Sequence, residues 1–314
     1  MILAIHDNWE KAKTRHDAYL KAILDTVLVS KTHTVASPRT LPFLEQIQDD
    51  LLDGSVDRLR NTIAAHQLVE AACADDAERA EFRQDLEDIF DYSGFISKNK
   101  AGWNAYELCK LSKYRTCPYC NQAYAFTVVQ QHDIVKGKTV KSFRPTLDHF
   151  LPKSRFPHLA ISLNNLVPSC SICNSSLKGS IDFHAEEHLH PFEDAESISF
   201  SLADSAGQLV DLRSNIDKDN HQLTLQVKFS GSCVPSTNSV KTFLVRERYE
   251  MHVAEAVEFA VARLSLSRLR AREIGGLGLG NSEVHLLRFD PANYRNVILG
   301  KMLRDLHAQL NPNP

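Results

Sequence analysis

Two Cys-x-x-Cys pairs constrain the fold of this chain more than any other feature. Cys117-Pro-Tyr-Cys120 and Cys170-Ser-Ile-Cys173 each present two sulfur atoms from one tight turn. Tetrahedral zinc takes four thiolates, so the two pairs together predict a structural zinc site without an open coordination position. Such a site closes the segment between the pairs into a loop that is pinned at its base. A redox role is the alternative, although it needs only one pair.

The overall composition is that of a globular protein. The chain has 314 residues, of which 43% are hydrophobic and 24% are charged, and this length predicts about two domains. No apolar run approaches the roughly 20 residues that span a bilayer, and the N-terminus turns polar too early for a secretory signal. We therefore expect a cytoplasmic protein with no membrane contact. In a reducing compartment, paired cysteines are better explained by metal binding than by disulfides.

Positive charge is concentrated in the middle of the chain. Residues 98–178 contain twelve Lys and Arg residues against three Asp and Glu residues, a balance of +9 in a chain of net charge −3. Phosphate contacts supply most of the non-specific affinity of proteins for nucleic acid, so this segment predicts a polyanion-binding site inside an acidic frame. The alternative is that these Lys and Arg residues cluster by chance on a solvent-exposed surface that has no binding role.

Hydrophobic periodicity predicts an α+β protein that is mostly helical, with three domains. Residues 1–95 carry apolar residues at helical spacing and many acidic residues, which predicts an acidic helical domain. Residues 96–192 contain both Cys-x-x-Cys pairs. Residues 193–314 begin with a predicted strand pair, "SISFSL" and "HQLTLQVKF". One long helix over 235–276 and a last helix over 291–310 are expected to follow.

The segment between the cysteine pairs carries the residues that suit hydrolysis. "SFRPTLDHF" predicts a strand that ends in Asp148 and His149, and a helix beginning near Cys170 would return Asn174 to the same place. A carboxylate and an amide oxygen together suit one Mg²⁺ ion that keeps several waters. His149 is the side chain here that can take a proton from water near neutral pH.

Ordinary structural roles explain some of these residues equally well. An Asp-His dipeptide by itself is most often a surface pair. Its position between two cysteine pairs, followed by Asn165 and Asn174, favours catalysis. His158 could be a surface or packing residue. His184, His188 and His190 form a cluster that would suit a second metal ion, although His190 is more simply explained as a residue that ties its segment to the core.

Residues 117–179 resemble the HNH nuclease family. The family pattern is Cys-x-x-Cys, Asp-His…Pro, Asn-Leu and Cys-x-x-Cys-Asn…Lys-Gly, and the chain contains "CPYC", "DHFLPKS", "NNLVPSC" and "CSICNSSLKG" in that order. Within this family the segment is most similar to the Septu-type and retron-associated HNH nucleases, the PtuB-like group. The "HPF" that follows at 190–192 fits the same group. The resemblance covers about a quarter of the chain.

The resemblance implies a fold and a set of residue roles. The fold would be a ββα-metal core, the His-Me finger, held by zinc and flanked by N-terminal and C-terminal helical segments. His149 would be the general base, and Asp148 and Asn174 would hold the catalytic metal ion. Asn165 would fix the loop and the orientation of the histidine. Many relatives have His at the last position, and Asn174 shifts the expected metal towards Mg²⁺ or Mn²⁺. The expected phosphate contacts are Lys153, Arg155 and Lys178.

The expected function is that of a metal-dependent endonuclease that acts in anti-phage defence. The resemblance alone implies an ABC-type ATPase as partner. The alternatives are a zinc-held module that binds nucleic acid or protein without catalysis, and a stand-alone restriction-type nuclease. Phosphodiester chemistry is common to DNA and RNA, so both substrates stay open.

Overall fold

The computed structural model describes residues 2–97, 102–129, 142–204, 223–266 and 282–310. Within these ranges the protein is mostly helical, and its strands form three antiparallel sheets of two strands each. The predicted fold class, α+β and mostly helical, is therefore confirmed at this level. None of the helices in the described ranges is long and apolar enough to cross a membrane.

The N-terminal region is helical, as the periodicity predicts. The predicted helical domain over 1–95 is divided among separate helices, because Gly54 takes a left-handed conformation (φ +67°) after one of them and the Asp75 side chain caps the start of another by accepting from the Glu78 N–H. The helices are α1 (Lys13–Leu28), α2 (Thr40–Asp53), α3 (Val56–Ala72), α4 (Asp76–Ile89) and α5 (Tyr92–Ile96).

These N-terminal helices pack directly on the segment that holds the cysteine pairs. The Trp9 indole N–H donates to the Leu166 carbonyl at 3.1 Å, and His16 Nε2 donates to the Ile161 carbonyl at 2.7 Å. The Trp103 indole N–H donates to the other ring nitrogen of His16 at 3.1 Å. Burial lowers the pKa of His16 to about 4, so its ring is neutral near pH 7. One cluster of buried apolar side chains therefore includes both regions, while the domain boundaries stay a prediction.

The middle of the chain contains a hairpin followed by a short helix. Strand β3 (Thr146–His149) pairs with β4 (Leu166–Ser169), which lies opposite it with His149 facing Leu166. Helix α7 (Ile172–Lys178) follows at once and has π-type hydrogen bonding, in which the Gly179 N–H reaches the Asn174 carbonyl. The other elements of this region are α6 (Ala105–Lys110), β1 (Val128–Val129) and β2 (Ser142–Phe143), of which β1 and β2 pair with each other.

The C-terminal region confirms the strand pair and corrects the long helix. Strands β5 (Ser199–Ala203) and β6 (Thr224–Lys228) are antiparallel, as predicted. The single helix predicted over 235–276 is wrong, since the chain bends at Leu244 (φ +48°) and again at Met251. The result is three helices, α8 (Val234–Thr242), α9 (Val245–Glu250) and α10 (Val253–Ser265). The part of the predicted helix beyond residue 266 lies outside the described residues.

The predicted last helix over 291–310 is confirmed in its second half. Residues Pro291–Asn296 form a 3-10 turn, and the α-helix covers Gly300–Leu310 (α12), after the short helix α11 (Ser282–Leu287). Helix α12 packs on β5, where the Gln309 side chain makes hydrogen bonds with both backbone groups of Leu202. This contact gives partners to two backbone groups on the outer edge of β5, which the two-stranded sheet itself does not pair.

Candidate functional site

The two cysteine pairs meet in space although about fifty residues separate them in the chain. The sulfur atoms of Cys117, Cys120, Cys170 and Cys173 all lie within 4.8 Å of one another, and the Cys120 and Cys170 sulfurs are 3.9 Å apart. Four sulfurs at about 2.3 Å from a central ion would lie a little under 4 Å from one another in a tetrahedron. The four cysteines could therefore bind one zinc ion, which agrees with the prediction.

Groups around the cluster suit four thiolates. The Gln122 N–H donates to the Cys120 sulfur at 3.4 Å, and the Arg248 guanidinium donates to the Cys173 sulfur at 3.4 Å. Burial by itself would lower the pKa of the Arg248 guanidinium. The sulfurs of Cys120 and Cys173 outweigh burial, so the pKa of Arg248 lies above its usual value. The neighbouring Tyr249 hydroxyl donates to the Cys120 carbonyl at 2.7 Å. Helix α9 therefore adds positive charge and a fixed contact to the cluster.

A cleft of about 450 Å³ is lined by five of the seven residues that were predicted for catalysis and phosphate contact. Strand β3 contributes Asp148 and His149 to the cleft, and α7 contributes Asn174 and Lys178. Lys153 lies on the loop that follows β3 and also lines the cleft. Arg155 does not line it. Hairpin and helix thus bring together residues that are up to thirty positions apart in the sequence.

The His149 ring is held in one orientation. Its Nε2 atom lies 2.8 Å from the Ala160 carbonyl oxygen, and because a carbonyl can only accept, the proton is on Nε2. The Nδ1 lone pair is then available as a base. The Tyr92 ring from α5 packs edge-on against the imidazole, with 4.4 Å between ring centres. Burial, with smaller contributions from Lys153 and Lys178, lowers the pKa of His149 to about 3, so the ring is neutral near pH 7.

Asn165 fixes the loop that holds His149. It is fully buried, and its side-chain oxygen accepts from the Leu151 N–H at 2.7 Å. Its amide nitrogen donates to the carbonyls of Leu151 and Leu159, each at 3.0 Å. Leu159 directly precedes Ala160, whose carbonyl accepts from His149. Asn165 is therefore hydrogen-bonded to the residue next to the one that orients the ring. The positioning role that the resemblance implies for Asn165 stays a prediction.

The Asp148 carboxylate is buried, and both of its oxygens already accept hydrogen bonds from protein side chains. It is 3% exposed, one of its oxygens accepts from the Lys178 ammonium at 2.7 Å, and the other accepts from the Tyr119 hydroxyl at 2.5 Å. Lys178 is 4% exposed and also donates to the His149 carbonyl. Each carboxylate oxygen has a second lone pair, so these donors leave room for a metal ion but do not indicate one. The predicted phosphate contact of Lys178 would require it to leave Asp148, and it stays a prediction.

The other predicted site residues lie at different distances from the cleft. Asn174 is half-buried on α7, and no hydrogen bond involves its side chain in the described part of the chain. The Lys153 ammonium lies 5.7 Å from the centre of the Tyr92 ring and faces the cleft. The Arg155 guanidinium forms an ion pair with Asp182 at 2.6 Å. Asn174 and Lys153 are thus available to a ligand, and Arg155 already has a carboxylate partner.

The histidines outside the cleft have structural partners. His188 makes hydrogen bonds with the Glu186 carbonyl and the Thr242 hydroxyl, and His190 accepts from the Phe192 N–H at 3.2 Å. His184 is exposed and lies against Phe156. Among the described residues, the only cluster of candidate metal ligands is the four cysteines. His158 is fully buried and makes a hydrogen bond with the Thr62 hydroxyl, which favours its packing role.

Two tyrosines of the site were missed by the sequence reasoning. Tyr119 lies inside the first Cys-x-x-Cys pair, which places its hydroxyl on Asp148, and its ring stacks on Phe243 with 4.5 Å between centres. Burial raises the pKa of Tyr119 well above its usual value, so it remains a donor. Its position between two metal ligands was a usable signal. Nothing in the sequence indicated that Tyr92 would contact His149, because 57 positions separate the two residues.

Comparisons with known proteins find only partial similarity. The chain is 30% identical to protein ea31 of Escherichia phage lambda over 113 residues, which are 35% of this chain and 32% of the phage protein. It is 41% identical to Septu protein PtuB of Bacillus thuringiensis over 51 residues, which are 16% of this chain and 20% of PtuB. The matches therefore span about a third and a fifth of these relatives. No family model and no solved structure matches the chain.

Proposed function

We propose that this protein is an HNH-type endonuclease that hydrolyses phosphodiester bonds with His149 as the general base. The observation that carries the proposal is the His149 ring, whose Nε2 is bound to the Ala160 carbonyl while its neutral Nδ1 remains available in a cleft. Asn165 holds the same loop from inside the core. The order of hairpin β3–β4 and helix α7 supports a ββα-metal core, and the similarity to PtuB supports the PtuB-like group.

In this mechanism the substrate phosphate enters the cleft beside His149. Lys153 and Arg144, which both line the cleft, supply positive charge to its non-bridging oxygens. Nδ1 of His149 takes a proton from water while the water oxygen forms a bond to phosphorus. The bond from phosphorus to the leaving oxygen breaks, and that oxygen takes a proton from solvent water to end as a hydroxyl group, while His149 later returns its proton to solvent. Ala160 keeps Nε2 protonated, so the base cannot change tautomer before the reaction.

The catalytic metal ion belongs to the proposal. Asp148 and Asn174 line the same cleft and offer hard oxygen donors, which suit Mg²⁺ or Mn²⁺. When bound, such an ion would stabilise negative charge on the phosphate and the leaving oxygen. Tyr119 and Lys178 fix the Asp148 carboxylate from the inner side, so that its remaining lone pairs are directed by two hydrogen bonds.

Replacement of His149 tests the proposal. His149→Ala should keep the fold and the cysteine-bound metal and should abolish cleavage of DNA and RNA panels in the presence of Mg²⁺. His184→Ala is the matched control, since His184 is exposed and lies outside the cleft. Wild-type cleavage by His149→Ala would show that another group is the base. If the wild-type protein binds nucleic acid but never cuts it, the non-catalytic zinc module is the better description.

We further propose that the enzyme acts in anti-phage defence with an ABC-type ATPase, as the resemblance to the PtuB-like group implies. The similarity to a Septu protein supports this assignment. The acidic stretch 45–91 would suit a basic surface on the partner. Co-expression with an ATPase encoded nearby should give a complex in size-exclusion chromatography, and nucleotide should change the cleavage rate. If the two proteins never associate, the partner is wrong while the catalytic proposal stands.

A further inference from the structure

An exposed aromatic surface lies next to the cleft and has no role in the mechanism above. Tyr124, Phe126 and Phe143 form this aromatic face, with 5.3 Å between the first two ring centres and 5.8 Å between the last two. Tyr124 is 54% exposed and Phe143 is 55% exposed. Val128 and Val129 of β1 are also exposed beside β2. Three neighbouring aromatic rings exposed to water are unfavourable in free energy, and a ligand that covers them would remove this penalty.

Positive charge surrounds the aromatic face. Arg144 follows Phe143 directly and lines the cleft that contains His149. Arg115 and Phe126 together line a second pocket. No ion pair involves Arg115, Arg144 or Lys153 in the part of the chain that the structure describes. The Nε atom of Arg144 is buried without a hydrogen-bond partner there. Cations that lack carboxylate partners favour a polyanion as the ligand of this surface, and apolar rings between them indicate that the polyanion also carries flat apolar groups.

We propose that the aromatic face binds unpaired bases of a single-stranded nucleic acid and leads the strand into the His149 cleft. This inference rests on the proposed nuclease function and names the form of its substrate. Aromatic side chains stack on bases that are free of a duplex, and basic side chains follow the phosphates. Tyr124, Phe126 and Phe143 supply the rings, while Arg115 and Arg144 supply the charges.

The position of the face supports a continuous path. Phe143 ends β2, Arg144 follows it at the rim of the cleft, and His149 ends β3 only six residues after Phe143. Six residues of extended chain span at most about 20 Å. A strand stacked on the face would therefore place a phosphate near His149 within a few nucleotides. A duplex keeps its bases stacked on one another and would leave the rings uncovered, so it should gain little from them.

Binding of short labelled oligonucleotides tests the inference. The probes are dT12, rU12 and a twelve-base-pair duplex, measured by fluorescence anisotropy on full-length His149→Ala protein so that cleavage does not interfere. Adding Phe143→Ala or Tyr124→Ala should weaken single-strand binding on the order of tenfold each, with a much smaller effect on the duplex. Comparison of the dT12 and rU12 series shows whether the face serves DNA, RNA or both.

Two further variants separate stacking from other causes. Phe143→Trp should retain single-strand binding and Phe143→Leu should lose it, because leucine is apolar but cannot stack. Leu68→Ala is the matched control, since Leu68 is 70% exposed on α3 and lines neither the His149 cleft nor the pocket of Arg115 and Phe126. The inference is overturned if Phe143→Ala binds single strands within twofold of its parent, if Phe143→Leu binds as well as Phe143→Trp, or if Leu68→Ala is equally weakened.

Failure of this inference is distinguishable from failure of the proposed function. The binding series does not depend on catalysis, because all its proteins carry His149→Ala. If Phe143→Ala binds normally while His149→Ala has lost cleavage, only the aromatic face is refuted. If His149→Ala still cuts, the proposed base is refuted, whatever the binding series gives.

Discussion

Removal of the Lys178 ammonium should destabilise the protein far more than removal of an exposed cation. Lys178 and Asp148 form an ion pair at 2.7 Å, in which the side chains are 4% and 3% exposed. Lys178→Met keeps an unbranched side chain of similar length but removes the ammonium group, which lies 4.7 Å from the centre of the Phe183 ring. It leaves the Asp148 carboxylate buried with the Tyr119 hydroxyl as its hydrogen-bond donor. Breaking a buried pair by removing one partner costs about 3–5 kcal/mol.

Arg155→Met is the matched comparison. Arg155 forms an ion pair with Asp182 at 2.6 Å, but its side chain is 47% exposed and that of Asp182 is 24% exposed. Exposed pairs of this kind contribute at most about 1 kcal/mol. The two variants remove one positive charge each from the same region of the protein. The difference between their effects therefore measures burial rather than net charge.

The assay is urea unfolding followed by tryptophan fluorescence. The Trp9 indole is bonded to the Leu166 carbonyl on the hairpin that carries Asp148, so its emission reports on this region. Lys178→Met should lower the free energy of unfolding by about 3–5 kcal/mol without a change in the urea dependence. A double variant, Lys178→Met with Asp148→Asn, should recover part of the loss because the buried charge is gone.

Two results would refute this reasoning. The first is an equal loss of unfolding free energy in Lys178→Met and Arg155→Met, which would mean that the Asp148 pair is solvated in solution. The second is a double variant that is no more stable than Lys178→Met. In that outcome the loss would come from packing around the lysine stem and not from the uncompensated carboxylate.

Further predictions concern the metal cluster, the loop and pH. Cys117→Ser should lose zinc, measured by elemental analysis, together with the folded middle segment, because the binding energy of a structural zinc site is also folding energy; well-folded wild-type protein without zinc would contradict this. Asn165→Ala removes three hydrogen bonds to buried backbone groups. It should lower the free energy of unfolding by about 3 kcal/mol and remove most of the cleavage rate. Asn164→Ala loses one hydrogen bond to Gly54 and should lower the free energy of unfolding by about 1 kcal/mol. Burial lowers the pKa of His16 to about 4 from 6.5, so below pH 6.5 the unfolded chain takes a proton that the native protein does not. Stability should therefore fall as the pH drops from 6.5 to about 4, by about 3 kcal/mol from this group, and His16→Gln should show a shallower fall in urea unfolding at each pH; an unchanged slope would mean that His16 is charged in the native state.

The sequence by itself determined the local parts of the candidate site. The spacing of the four cysteines predicted that they would meet, and their sulfurs do lie within 4.8 Å of one another. The alternation of apolar residues predicted strands β5 and β6. Asp148, His149 and Asn174 line one cleft, as a strand followed by a returning helix predicts. The strands and the geometry within each Cys-x-x-Cys pair follow from short-range rules, because a tight turn or a strand period fixes where nearby side chains point. The meeting of the two pairs follows instead from the four thiolates that one zinc ion requires.

The tertiary structure alone decided which groups are paired and which are exposed. The ion pair of Lys178 with Asp148 was not indicated by the sequence, and it forms because a buried carboxylate requires a cation or donors. Tyr92 reaches His149 only because α5 packs against β3. The long C-terminal helix is broken at Leu244 although its apolar periodicity continues, since Phe243, Val245 and Tyr249 on both sides of the bend face one core. Periodicity records which side chains are buried, whereas the direction of the chain depends on contacts between distant residues, which local spacing does not encode.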